Sequence, residues 1–121
     1  MRGTFSNGQP RIEIQVKGVS GVPKAINAVI DSGFNGYLKL PFIDAFPLGL
    51  ILAGIQDSTL ADGSAVSNLV CKGQVCIDGK CINTTIDIHK SNIILIGTQL
   101  LRELGKKFIL DCENGLVEIS D

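Results

Sequence analysis

The chain has 121 residues, 45% of them hydrophobic and 19% charged, with a formal net charge of −1 from 11 basic and 12 acidic side chains. That is enough for one core, a single domain over residues 1–121, with some apolar surface left for a partner. The balanced charge shows no clustered basic face for nucleic acid, and no apolar run approaches the roughly 20 residues of a membrane span. The N-terminal stretch "MRGTFSNGQP" lacks the apolar core of a signal peptide, so a cytoplasmic location is expected.

Period-two alternation dominates the elements in chain order. "RIEIQV" places Ile12, Ile14 and Val16 on one face of a strand, and "VKGVSGVPK" turns through Gly18 and Gly21 into a second strand, "AINAVID". "YLKLP" alternates again to Pro41, and "FIDAFPLGL" has room for one helical turn before Gly49. "STLADGSAV" predicts a hairpin with its tip at Asp62-Gly63, a dipeptide suited to a type I′ turn; "GQVCIDGKCINTTIDI" predicts another, turning at Asp78-Gly79. "IILIG" reads as a short buried strand. A helix follows, with Thr98 as cap, Leu100, Leu101 and Leu104 on one face, and Gly105 just past its end. "KFILDCENGLVEI" closes the chain as a third hairpin around Asn114-Gly115. The expected fold class is all-β with one short helix near the C-terminus.

"KAINAVID" (Lys24–Asp31) and "KCINTTID" (Lys80–Asp87) share the pattern K-x-I-N-x-x-I-D, each after a strand and a glycine-bearing turn. The match suggests two similar β motifs related by an internal pseudo-repeat. Four cysteines, Cys71, Cys76, Cys81 and Cys112, are expected as free thiols in a reducing compartment. The even spacing of the first three does not fit a zinc knuckle, and His89 is the lone histidine. No metal and no cofactor is expected.

"AVIDSGFNGYLKLP" (Ala28–Pro41) holds the candidate chemistry. Asp-Ser-Gly alone is a common turn, and on the residues alone Asp31 is either a turn residue or a catalytic acid. The apolar run before it would set the carboxylate at the edge of a core. Gly33 would leave room for a substrate, and the Ser32 hydroxyl can brace the turn. Such a carboxylate does acid/base work once it has a partner, because two carboxylates in contact share one proton.

The chain resembles a single-domain, retropepsin-like aspartic protease of the pepsin superfamily. It is most similar to the small prokaryotic group whose motif reads Asp-Thr-Gly-Phe. Here that motif is "DSGF" (Asp31–Phe34), preceded by "NAVI" and followed by "NGYLKLP". "LGL" (Leu48–Leu50), the flap-like "TLADGSAV", "IILIG" (Ile93–Gly97), the helix "TQLLRELG" and the last hairpin follow in the family's order. The resemblance implies a closed acid-protease β-barrel and a homodimer that hydrolyses peptide or protein substrates. It implies Asp31, Ser32 and Gly33 as catalytic residues. Phe34, Asn35, Gly36 and Ile96 would line the cleft, with Ala61, Asp62, Gly63 and Ser64 as the flap over the peptide.

One Asp-(Ser/Thr)-Gly is present, so the second carboxylate is expected from a second copy of Asp31. Asp87 is followed by "DIHK", with neither hydroxyl nor glycine, and is read as structural. His89 is read as a surface or strand-end residue. The flap lacks the tyrosine of pepsin-like enzymes and the paired glycines of viral ones; the sole tyrosine is Tyr37. That departure motivates an alternative, a peptide-binding or dimerisation module of the same fold that cleaves little or nothing.

Overall fold

The computed structural model describes residues 1–121, the side chain of Ser58 excepted. In chain order it forms β1 (Thr4–Ser6), β2 (Gln9–Lys17), β3 (Lys24–Ile30), β4 (Leu38–Pro41) and the helical turn α1 (Phe42–Ala45). A 3₁₀ turn (Phe46–Leu48) ends at Gly49, whose φ of 63° suits glycine. There follow β5 (Ile51–Thr59), β6 (Ala65–Ile77), β7 (Lys80–His89), β8 (Leu95–Ile96), α2 (Thr98–Glu103), β9 (Lys107–Asp111) and β10 (Leu116–Ser120).

Alternation in the sequence becomes alternation in burial. Ile12, Ile14 and Val16 are buried along β2 while Glu13 and Gln15 between them are exposed, so a one-residue slip would turn the apolar set outward. The sheet runs β1-β2-β3-β8-β4-β7-β6-β5, and β2 also pairs with β6 through Gln15↔Cys76, Val16↔Val75 and Lys17↔Gln74. Six strands therefore close into a ring, with β1 and β5 attached outside it. Ile12, Ile14, Leu38, Leu40, Ile77, Ile86 and Ile96 fill the ring, each at most 1% exposed. The ends of the chain cover the core together. Val117 and Ile119 of β10 are buried, while Gly3 N–H bonds Val117 and Ile119 N–H bonds Met1.

The pseudo-repeat appears in the pairing. β3 lies parallel to β8 (Ile30↔Ile96), β7 lies parallel to β4 (Ile86↔Leu38), and β4 and β8 pair antiparallel through Leu38↔Ile96. Exchanging β2, β3 and β4 for β6, β7 and β8 leaves this order unchanged. The local two-fold passes through the Leu38↔Ile96 pair, and Asp31 and Asp87 occupy equivalent places. Each half inserts one strand into the other, since β8 sits between β3 and β4 while β4 sits between β8 and β7.

One turn is as expected and three local expectations need correcting. At the β6–β7 tip Asp78 and Gly79 both have positive φ (51° and 84°), as a type I′ turn requires. At the β5–β6 tip only Gly63 does (86°), and Leu60 N–H bonds Ser64 O across a three-residue connection, so that turn is not type I′. Gly97, not Thr98, caps α2, and no side chain caps it; Thr98 is its first helical residue. Cys76 and Cys81 are not free thiols but a disulfide, because the tight turn makes them direct cross-strand neighbours with Cα atoms 4.0 Å apart. Cys71 (buried) and Cys112 (exposed) are free. Among the described residues no helix is long and apolar enough to cross a membrane.

Candidate active site

Three buried residues, Ala28, Val29 and Ile30, carry β3 up to Asp31. Small and β-branched side chains suit a strand covered on both faces. β8 fixes the end of that strand: Val29 N–H bonds Ile94 O at 2.8 Å, and Asp31 N–H bonds Ile96 O at 3.0 Å. The main chain then reverses. Phe34 N–H reaches back to Asp31 O at 3.1 Å, and the Asp31 carboxylate accepts Gly33 N–H at 2.9 Å. A β-carbon on Gly33 would stand 3.3 Å from that carboxylate oxygen, so glycine keeps the approach to Asp31 open. Asp31 is half-buried, while Ser32, Gly33 and Asn35 are exposed. Among the described residues the Ser32 hydroxyl makes no hydrogen bond within the chain.

The far side of the turn is held by α2. Thr98 N–H bonds Phe34 O and Gly97 N–H bonds Tyr37 O, each at 3.0 Å. The Phe34 ring lies against Gly36, where a β-carbon would come within 2.6 Å of it, and the Lys39 ammonium stands 4.9 Å from the ring centroid. The Tyr37 hydroxyl donates to Glu103 at 2.6 Å, and Gln99 donates to the same oxygen at 3.1 Å. That shared bond keeps the phenol protonated above its ordinary range and holds the Glu103 carboxylate below its own. The Tyr37–Glu103 bond gave no signal in the sequence, because a contact across 66 residues leaves no local spacing to read.

Asp87 lies opposite Lys39, on a strand that continues to His89 instead of opening into a turn. Burial pushes its carboxyl up, and the charges of Lys39 and His89 oppose that. His89 braces the next loop. Nδ1 accepts from the Ser91 N–H (3.2 Å) and faces the Ser91 hydroxyl (2.7 Å), while Nε2 lies 3.0 Å from Ile93 O. A backbone N–H can only donate, so Nδ1 carries no proton and Nε2–H donates to Ile93.

Ala61, Asp62, Gly63 and Ser64 form the exposed tip of the β5–β6 hairpin. The Asp62 carboxylate accepts both the Ser64 hydroxyl (2.6 Å) and the Ser64 N–H (2.9 Å), which lower its pKa. Ile96 is fully buried beneath the Asp31 turn, in contact with the core and not at a surface. Asp31 to Gly36 and Ile96 thus come together. Among the described residues no hydrogen bond joins the hairpin tip to them. Neither main cavity of the single chain touches Asp31–Gly36 or Ala61–Ser64.

No family model and no curated protein matches the sequence. Solved structures do. EIAV protease in complex with the inhibitor HBY-793 aligns over 87% of this chain and 96% of its own at 16% identity, with a TM-score of 0.63. The protease of simian foamy virus (mac) aligns over 80% of this chain and 97% of its own, also at 16% identity, with a TM-score of 0.57. The chain, with its ring of strands and one short helix, thus has the retropepsin-like fold of these proteases.

Proposed function

We propose that the chain is an aspartic endopeptidase whose active site forms when two copies bring their Asp31 carboxylates together. One observation carries this reading: a half-buried carboxylate is pinned at an open, exposed turn by β8 and Gly33. The unused Ser32 hydroxyl is free to bond the neighbouring copy's turn and brace it.

In the dimer the two carboxylates share one proton. The ionised one takes a proton from water as the water oxygen bonds to the peptide carbonyl carbon. The protonated one gives its proton to the carbonyl oxygen. The resulting diol collapses with cleavage of the C–N bond. The leaving nitrogen takes a proton from one carboxyl, and a diol hydroxyl returns one to the other. Phe34, Asn35 and Gly36 form the cleft floor, and Ile96 supports it from beneath. Ala61 to Ser64 close over an extended peptide, which pairs with the hairpin in β fashion.

A second reading, a peptide-binding or dimerisation module without cleavage, draws on Tyr37. The sole tyrosine is tied to Glu103 at the base of the turn and is not in the flap. The experiment is a solution mass for the native chain and Asp31→Asn, with both assayed on a mixed peptide library from acid to neutral pH. A cleaving dimer whose variant stays dimeric but inactive supports the peptidase. A dimer that binds peptide without cleaving favours the module, and a strict monomer without cleavage sinks the shared site.

A further inference from the structure

β6 is bordered on one side by two strands in succession. It pairs with β5 as far as Ile51↔Lys72 and with β2 from Lys17↔Gln74 onward, while β7 runs along its other side. Gly73 lies at the changeover. Residues two apart on a strand share a face, so the cross-strand rows Ile51-Lys72-Thr85 and Lys17-Gln74-Asn83 point the same way. That face is opposite to the one carrying buried Cys71, Val75 and Ile86. Over these rows opens a cavity of about 570 Å³, walled on one side by Gly18 and Val19.

The charge of this cavity is one-sided. Lys17 and Lys72 both line it, and no carboxylate does. The chain's salt bridges use Lys80 and Lys106 with Asp121, so among the described residues neither cavity lysine has an acid within ion-pair distance. Diagonal neighbours on adjacent strands lie about 7–8 Å apart, within reach of two flexible ammonium groups meeting on one ligand. Asn83 and Thr85 add neutral donors with no intramolecular bond among the described residues. Val19 and Ile51 supply apolar wall, 69% and 57% exposed.

We propose that this cavity binds a small phosphate monoester. Two lysines balance its double negative charge, Asn83 and Thr85 meet the remaining oxygens, and its organic part rests on Val19 and Ile51. The site stands apart from Asp31 and holds whether or not the chain cleaves peptides. Its position has one consequence for the flap hairpin: a bound phosphate would fasten Lys72, at the hairpin's root, to Lys17 at the end of β2.

The test is an amide NMR titration of the full chain with phenyl phosphate, inorganic phosphate and benzoate. Saturable shifts are expected at residues 72–74 and 83–85, tighter for phenyl phosphate than for inorganic phosphate and weak for benzoate. The Lys17→Gln/Lys72→Gln pair should weaken phenyl phosphate by at least about tenfold. Asn83→Asp, nearly isosteric, should do the same by seating a carboxylate in the cavity beside Lys72, which keeps the test available if the lysine pair misfolds. No saturation by about 10 mM, beyond the weak end of specific binding, overturns the site. Equal binding of benzoate overturns the phosphate assignment, and unchanged affinity in both variants overturns the lysine pair.

Discussion

Gly97 passes directly beneath Gly36: a β-carbon on it would overlap the Gly36 carbonyl oxygen and stand 2.6 Å from that of Phe34. Its φ of −106° is open to any residue, so closeness and not backbone conformation demands glycine here. Both obstructing atoms are main chain of the Asp31–Tyr37 loop and cannot rotate away. Gly97→Ala is predicted to cost at least about 2 kcal/mol, at the upper part of the overpacking range. Urea denaturation reads this directly, and an unchanged midpoint would show that the crossing has slack.

A site shared between copies has a dose signature. If each dimer needs two intact Asp31 carboxylates, mixing native chain with Asp31→Asn makes cleavage follow the square of the native fraction. An equal mixture that has exchanged subunits should retain about one quarter of the native rate, and not one half. Asn keeps an oxygen to accept Gly33 N–H, so the turn survives the substitution. A linear mixing curve would mean that one copy of Asp31 suffices.

His89 predicts a pH dependence of stability. Burial, assisted by Lys39 on β4, lowers its pKa below 6.5, against opposing pulls from Ile93 O and Asp87. The folded chain then holds fewer protons on this ring than the unfolded one just below pH 6.5. Its contribution is complete above that value and is lost as pH falls toward the lowered folded pKa. Protonation also sets an N–H at Nδ1 against the Ser91 N–H. Asp87, pushed up by burial, acts in a lower window with the opposite sign, favouring the fold most when protonated. Thermal melts between pH 7 and 5 should slope downward for the native chain and be flatter for His89→Gln. Equal slopes would remove His89 as the cause.

Reducing the Cys76–Cys81 disulfide should leave the chain folded. The bridge closes a loop with a sequence separation of only 5, so chain entropy limits its contribution to about 2 kcal/mol, or roughly 8 °C in Tm. Asp78 and Gly79 already hold the hairpin, which lowers the loss further. Melts of the native chain with and without reductant, beside Cys76→Ser/Cys81→Ser, measure this. Unfolding on reduction would show that the seam between β2 and β6 depends on the bridge.

Most elements were legible because their signals are local. Alternation in "RIEIQV" fixed the β2 face, and Asp78-Gly79 fixed a turn in which both residues need positive φ. Asp62-Gly63 carries the same letters but a different turn, because flanking Leu60 and Ser64 pair and leave three residues between them. Thr98 has the composition of a cap, but the close crossing hands the capping position to Gly97. The disulfide followed from register and was obscured by reading the cysteines through their compartment. Asp31 was singled out by its motif, whereas its supports, Ile96 O and the Tyr37–Glu103 bond, depend on the chain returning from far along its length.

The insertion of β8 between β3 and β4 also sets an order of events during synthesis. A ribosome-bound chain that ends before Ile94 has both flanking strands and the Asp-Ser-Gly stretch, but nothing to lay between them. The carbonyls of Ile94 and Ile96 that fasten β3 have not yet emerged. Such long-range pairing is slow to form and leaves strand edges open in the meantime. Arrested chains ending near Lys90 should therefore be protease-sensitive across residues 28–41, and full-length chains resistant. The stretch that carries Asp31 is made early and finished last.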